Sequence, residues 1–206
     1  MIKLNRCALI DSVILTALEK YPVDIRPARW DGRAKAVKSF KDEVMTQGLV
    51  IQSQKCAWCT LSVGPNGRRT AHRDHIAPKA KHPQWTFLAI NLVIACEYCN
   101  GFSVKGEIDT IQKFGATYED CEFLAVHPYL DEPADHLEFV GVSGKLPVVI
   151  RSDTSKGLWT IKYLQLDTPG ATLERAKDRL WEEYNSDLSL NDQSLIAAAS
   201  AGVGYN

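Results

Sequence analysis

The chain has 206 residues, 45% hydrophobic and 24% charged, with a formal net charge of −1. These figures suit one globular domain with a real core, or one domain plus a small satellite, and exclude a disordered, collagenous or polycationic chain. No apolar run approaches the ~18 residues a bilayer span needs. The N-terminal apolar stretch is broken by Asp11 and carries no small-residue cleavage site, so no membrane association and a cytoplasmic location are expected.

In chain order, Cys7, Leu9, Ile10, Val13, Ile14, Ala17 and Leu18 recur at helical spacing and predict a first helix ending at Tyr21-Pro22. A second helix is expected over 31–46, with Ala34, Val37, Phe40, Val44 and Met45 as its buried stripe and Gly48 as its stop. Residues 1–50 thus form an N-terminal helical segment. Next comes a core segment, 51–115, rich in Cys, His, Gly, Pro and Arg, with short strands and a strong turn at Gly64-Pro65-Asn66-Gly67. A helix is expected over 107–114. The remainder, 116–206, is a mixed extension expected to pack with the core as one domain. It begins with a loop, His127-Pro128-Tyr129-Leu130-Asp131-Glu132-Pro133, and continues with strands at 137–142, 146–151 and 158–161, the first two joined through Ser143-Gly144. A helix over 168–186 follows, with Leu173, Ala176, Leu180 and Tyr184 on one face. The small, Gly-containing tail from 197 is expected to be mobile. The fold class is α+β.

Four of the six cysteines fall into two CxxC pairs, Cys56/Cys59 and Cys96/Cys99, with 36 residues between them. A two-residue spacer lets both thiolates of a pair turn onto one ion, and two pairs close a tetrahedral zinc site. Such a closed site has no open position, so the Zn2+ is structural, and its binding contributes folding energy. A redox role suits one pair and does not explain both. Cys7 and Cys121 read as small buried apolar residues. Over 53–84, six basic residues (Lys55, Arg68, Arg69, Arg73, Lys79, Lys81) stand against one acidic residue, Asp74. A basic patch on a near-neutral chain suits phosphate contact at one place, and equally a solvated loop.

Between the cysteine pairs lie Asp74-His75-Ile76 with Pro78, then Asn91-Leu92, then Cys96-Glu97-Tyr98-Cys99-Asn100 with Lys105 beyond. In this order the elements resemble the HNH motif of the His-Me finger nucleases. That resemblance implies a ββα-metal core stapled by the four-cysteine zinc, flanked by N-terminal helices and the C-terminal extension. It also implies hydrolysis of phosphodiester bonds. His75, with an ordinary pKa near neutrality, would take a proton from water. Asp74, on the other side of an extended backbone, would hold a metal ion with Asn100, which would open the following helix. Asn91 matches the Asn that orients the histidine. Oxygen ligands favour Mg2+ or Mn2+ as the catalytic ion. Asn100 departs from the family's usual third His, a substitution also present in the HNH domain of RNA-guided CRISPR effectors; this leaves activity in question without excluding it.

Arg68, Arg69, Arg73, Lys79 and Lys105 are candidate phosphate contacts, and each could be ordinary surface charge. His72, on the same strand face as Asp74, reads as a supporting ligand, a phosphate contact or, the preferred reading, an exposed residue, and His82 as a loop residue. The flanks, including Trp30, Trp58 within the first CxxC pair, His127-Pro128-Tyr129-Leu130-Asp131, His136-Leu137 and Leu173-Glu174-Arg175, resemble the HNH nuclease subunit of Septu and retron anti-phage systems. That resemblance implies a partner ABC-type ATPase. His127, Asp131 and His136 are expected to make buried hydrogen bonds. The leading expectation is a DNA endonuclease. The alternatives are an RNA (tRNA) nuclease using the same site and a degenerate zinc-stabilised nucleic-acid-binding module.

Overall fold

In the computed structural model, which describes residues 1–66, 69–141 and 147–200, the chain opens with no regular secondary structure through Asp11, so the first helix starts later than expected. Backbone donors of this opening segment are taken by distant partners: Ile2 N–H donates to Ala57 O (3.1 Å) and Leu4 N–H to Pro128 O (2.9 Å). Helix α1, Ser12–Glu19, starts only at Asp11, whose carboxylate accepts the Val13 N–H at 2.7 Å. An Asp satisfies the orphan donors of a first turn, so it begins a helix more readily than it continues one. A short α2, Arg26–Trp30, follows, then α3, Lys35–Ile51.

Helix α3 buries Val37, Phe40 and Val44, three of the five expected residues, and packs against α1. It starts later than expected and runs through Gly48. That glycine is a packing residue: a Cβ there would lie 2.7 Å from Ile94 Cγ1, so its absence lets the helix lie close on the strand below.

Strands β1, Ala71–His75, and β2, Leu92–Cys96, form an antiparallel pair, with Ala71 opposite Cys96 and His75 opposite Leu92. All five residues of β2 are buried. After β2 the chain makes one helical turn, closed by Asn100 N–H to Cys96 O (3.0 Å), and then a run of turns. Asn100 therefore opens no helix. Gly106 adopts φ +46°, a left-handed conformation that ends helical winding.

The helix expected over 107–114 is also absent. Asp109 Oδ1 accepts the Ile111 N–H at 3.0 Å, and this local turn delivers the chain into β3, Ile111–Lys113, paired with β4, Glu122–Phe123. The hairpin of β5, Glu138–Gly141, and β6, Pro147–Arg151, matches expectation, although the Ser143-Gly144 connection lies outside the described residues. The third strand, at 158–161, is instead α4, Ser155–Tyr163. Thr154 caps it by accepting the Gly157 N–H at 3.1 Å, and Gly157, Thr160 and Ile161 bury at helical spacing.

Helix α5, Pro169–Tyr184, has the expected Thr168 cap and first-turn Pro169. Its apolar stripe faces outward: Leu173, Leu180 and Tyr184 are about half exposed, and Arg175 is the residue it buries. The Arg175 guanidinium donates to Val148 O (3.0 Å) and Leu166 O (2.6 Å), tying α5 to β6 and to the turn that follows α4. Helix α6, Leu190–Ser200, takes in the first residues of the tail expected to be mobile, whose last six lie outside the described residues.

The larger buried cluster draws on Leu4, both CxxC pairs, β2, Phe123, Val126, Ile161 and Leu166, so all three sequence segments meet in it. A smaller one joins α1, α2 and α3 through Trp30, Phe40 and Phe87, whose ring centroids lie 5.6–6.2 Å apart.

Candidate metal centre and adjoining cleft

The first CxxC pair sits on a tight turn, where Cys56 N–H donates to Leu61 O (2.9 Å) and Ala57 N–H to Ile94 O (3.0 Å). The second lies at the end of β2, and Cys99 N–H donates to Cys96 Sγ (3.5 Å). The four sulfurs lie within 4.8 Å of one another, and all four residues are buried. Cys59 Sγ and Cys96 Sγ are 3.8 Å apart. Four Zn–S bonds of about 2.3 Å at tetrahedral angles require an edge of about 3.8 Å, so the cluster fits a structural zinc ion. Burial pushes the Cys56 thiol well above its ordinary range, while hydrogen bonds from Cys56 hold Cys59 and Cys96 down. A bound zinc ion would deprotonate all four thiols, releasing the protons to solvent.

Trp58, between the first two cysteines, carries the centre into the neighbouring site. Its indole Nε1 donates to Asp74 Oδ2 at 2.7 Å. Lys105 donates to the other oxygen, Oδ1, at 2.8 Å, and to His75 O at 2.5 Å. Asp74 and Lys105 are 2% and 3% exposed, so this is a buried ion pair on the floor of a cleft. The cleft has a volume of about 260 Å³, and Asp74, His75 and Asn100 all line it.

His75 Nε2 lies 3.0 Å from Thr86 O. A carbonyl only accepts, so Nε2 carries the hydrogen and Nδ1 keeps its lone pair. The Trp30 ring packs edge-on against the imidazole, with centroids 4.4 Å apart. Burial pushes the His75 pKa down to about 3, and the charges of Lys105 and Lys79 act in the same direction, so the ring is neutral at pH 7 and a weaker base than the near-neutral histidine expected from the sequence.

Asn91 is fully buried and makes four bonds. Its Oδ1 accepts from Ala77 N–H (2.7 Å) and Tyr118 O–H (2.9 Å), and its Nδ2 donates to Ala77 O (3.0 Å) and Trp85 O (3.2 Å). The 76–91 connection is thereby pinned, including the stretch that presents Thr86 O to His75. Behind it, His127 Nδ1 accepts the Tyr129 and Leu130 N–H groups (3.2 Å each), so Nε2 donates to the Tyr118 phenolic oxygen, Oη, at 3.0 Å. Burial pushes the His127 pKa down to about 3, which keeps this donor–acceptor order at neutral pH. Tyr118→Phe should leave the His127 donor unpaired and lower stability by about 1–3 kcal/mol with zinc content unchanged, a result denaturant unfolding reads directly.

The expected phosphate contacts are not a free patch. Arg69 pairs with Glu174 (2.7 Å), Arg73 with Asp42 (3.6 Å) and Lys79 with Asp31 (3.4 Å), while Lys105 points inward to Asp74. Arg68 lies outside the described residues. His72 is exposed, as expected, and shares a hydrogen bond with Thr70 (2.9 Å). His82 lies in a loop, as expected, and is buried there, held against Asp109 at 2.7 Å and stacked on Trp85. His127 N–H donates to Asp131 (2.7 Å) and His136 bonds Thr154 (3.1 Å), so both histidines do make internal hydrogen bonds. Sequence reasoning left Trp58, Thr86, Tyr118 and Trp30 without a role at this site. The signal for Trp58 was its place inside a metal knuckle.

Both Asp74 oxygens are engaged, and the four cysteines are the metal-ready group of His, Cys, Asp and Glu side chains among the described residues. Asp74 and Asn100, the expected holders of a catalytic ion, line the same cleft. The ammonium of Lys105 holds the position beside the carboxylate.

No protein-family model matches the chain. It is 31% identical over 98 residues to protein ea31 of Escherichia phage lambda, which covers 48% of this chain and 27% of that protein. It is 26% identical over 162 residues to Septu protein PtuB of Bacillus mycoides strain KBAB4, which covers 68% of this chain and 52% of that protein. The chain thus spans between a quarter and about half the length of these curated relatives, and its relation to PtuB is one of distant homology.

Proposed function

We propose that the chain is a nuclease that hydrolyses phosphodiester bonds, with DNA as the first substrate to test, and that it serves anti-phage defence beside an ATPase partner. The similarity to PtuB supports the defence role. The observation that carries the chemistry is the His75 Nε2–Thr86 O bond at 3.0 Å, which leaves Nδ1 as a neutral base in a cleft shared with Asn100 and Lys105. His75 takes a proton from the attacking water. Lys105, buried against Asp74 and bonded to His75 O, holds the floor of the cleft beneath the reacting phosphate. Asn100 offers an amide to a phosphate or leaving oxygen, and Asn91 holds the connection that orients His75.

The test is a digest of plasmid DNA and total tRNA by the zinc-loaded chain, with and without added Mg2+ or Mn2+. DNA cutting supports the reading, tRNA cutting alone moves the substrate to RNA, and dependence on the added ion would mean that Lys105 yields its place. One observation favours a second reading, an inactive binding module: the doubly engaged Asp74 carboxylate. Binding of nucleic acid without cutting either polymer would support it.

A further inference from the structure

Phe102 is 96% exposed, yet it lines the same cleft as His75, Asn100 and Lys105. Its loop is tied down from several sides. Val104 N–H and Gly106 N–H both donate to Gly101 O at 3.0 Å. Lys105 anchors the underside to Asp74 and His75, and Gln165 donates to Ser103 O at 3.1 Å. Gly106 is held at φ +46°, where a Cβ would lie 3.0 Å from Phe102 O. A loop so constrained could have turned its one large apolar side chain inward. Leaving the whole ring in water forgoes its burial free energy, and nothing in the described residues offsets that loss.

Lys105, Lys79, Arg73 and Asn100 line the cleft with it, and the carboxylates paired with Arg73 and Lys79 (Asp42 and Asp31) are 77% and 71% exposed, so an incoming phosphate can take their place beside the aromatic face. That combination suits a nucleotide: charge and amide for the phosphate, a ring for the base. We infer that Phe102 is the nucleobase platform of this cleft, stacking on a base next to the phosphate that reaches His75. The inference rests on the nucleic-acid reading above and narrows its substrate. Stacking tolerates any base but needs a free π-face, which a base inside a duplex lacks. The site therefore takes unpaired nucleotides in preference to intact duplex.

The experiment uses the zinc-loaded full chain and a mixed-sequence single-stranded oligonucleotide carrying 5-bromodeoxyuridine, with the same sequence as a duplex for comparison. Ultraviolet cross-linking followed by peptide mass spectrometry should place the adduct on Phe102. Phe102→Ala should weaken single-strand binding roughly 5- to 100-fold, and Phe102→Trp should restore it, with zinc content and Tm unchanged in both. Equal affinity of wild type and Phe102→Ala, an adduct elsewhere, or tighter binding of duplex would overturn the inference and leave the nuclease reading standing. A wild-type chain that binds neither polymer overturns both.

Discussion

Asp74→Ala should lower the stability of the fold by roughly 3–5 kcal/mol, the usual cost of stranding one member of a buried ion pair. Asp74 and Lys105 are 2% and 3% exposed, and the substitution leaves the ammonium with His75 O as its remaining partner. The Trp58 indole N–H loses its acceptor as well. Replacing both partners, Asp74→Ala with Lys105→Met, should recover much of the loss, because the uncompensated charge goes with the lysine. Denaturant midpoints of the two single variants and the double variant check this. A double variant no more stable than Asp74→Ala would show that the pair is not the buried unit described here. The consequence for function is practical: an inactive Asp74→Ala would report a damaged fold before it reported lost chemistry.

Removing the metal should have a still larger effect. The four sulfurs sit inside the larger buried cluster, between Trp58, Leu61 and Ile94, and join two segments 36 residues apart in the chain. Zinc held by such a site contributes about 10–16 kcal/mol. A domain of ordinary stability has about 5–15 kcal/mol in all. Chelation, or Cys96→Ser, should therefore unfold the chain cooperatively. Metal analysis should find one zinc per chain in the native protein, and circular dichroism should show the loss on chelation. A chain that keeps its structure after its metal is stripped would contradict the structural role.

What the sequence made legible was local. A CxxC spacing constrains two sulfurs by itself, and the structure brings both pairs together as expected. Thr168-Pro169 announced α5 because cap and first-turn chemistry lie within a few residues. The misread segments turned on one side chain competing with periodicity. Asp109 makes a turn that diverts 107–114 from helix to strand, and the Thr154 cap turns 158–161 from strand to helix. The candidate site was half legible. The motif marks His75, Asn91 and Asn100, but the partners that define their chemistry are remote. Lys105 is 31 residues from Asp74, and Tyr118 is 27 from Asn91. The basic patch looked free for the same reason, since Glu174, which neutralises Arg69, lies 105 residues away.

The measurement that bears most directly on the central claim is cleavage of DNA by His75→Ala beside wild type, at matched zinc content and with each Tm recorded. Wild type should cut, and the variant should fold, hold its zinc and cut nothing, because the neutral Nδ1 that Thr86 O leaves free is gone. A folded His75→Ala that cuts as fast as wild type would contradict the account.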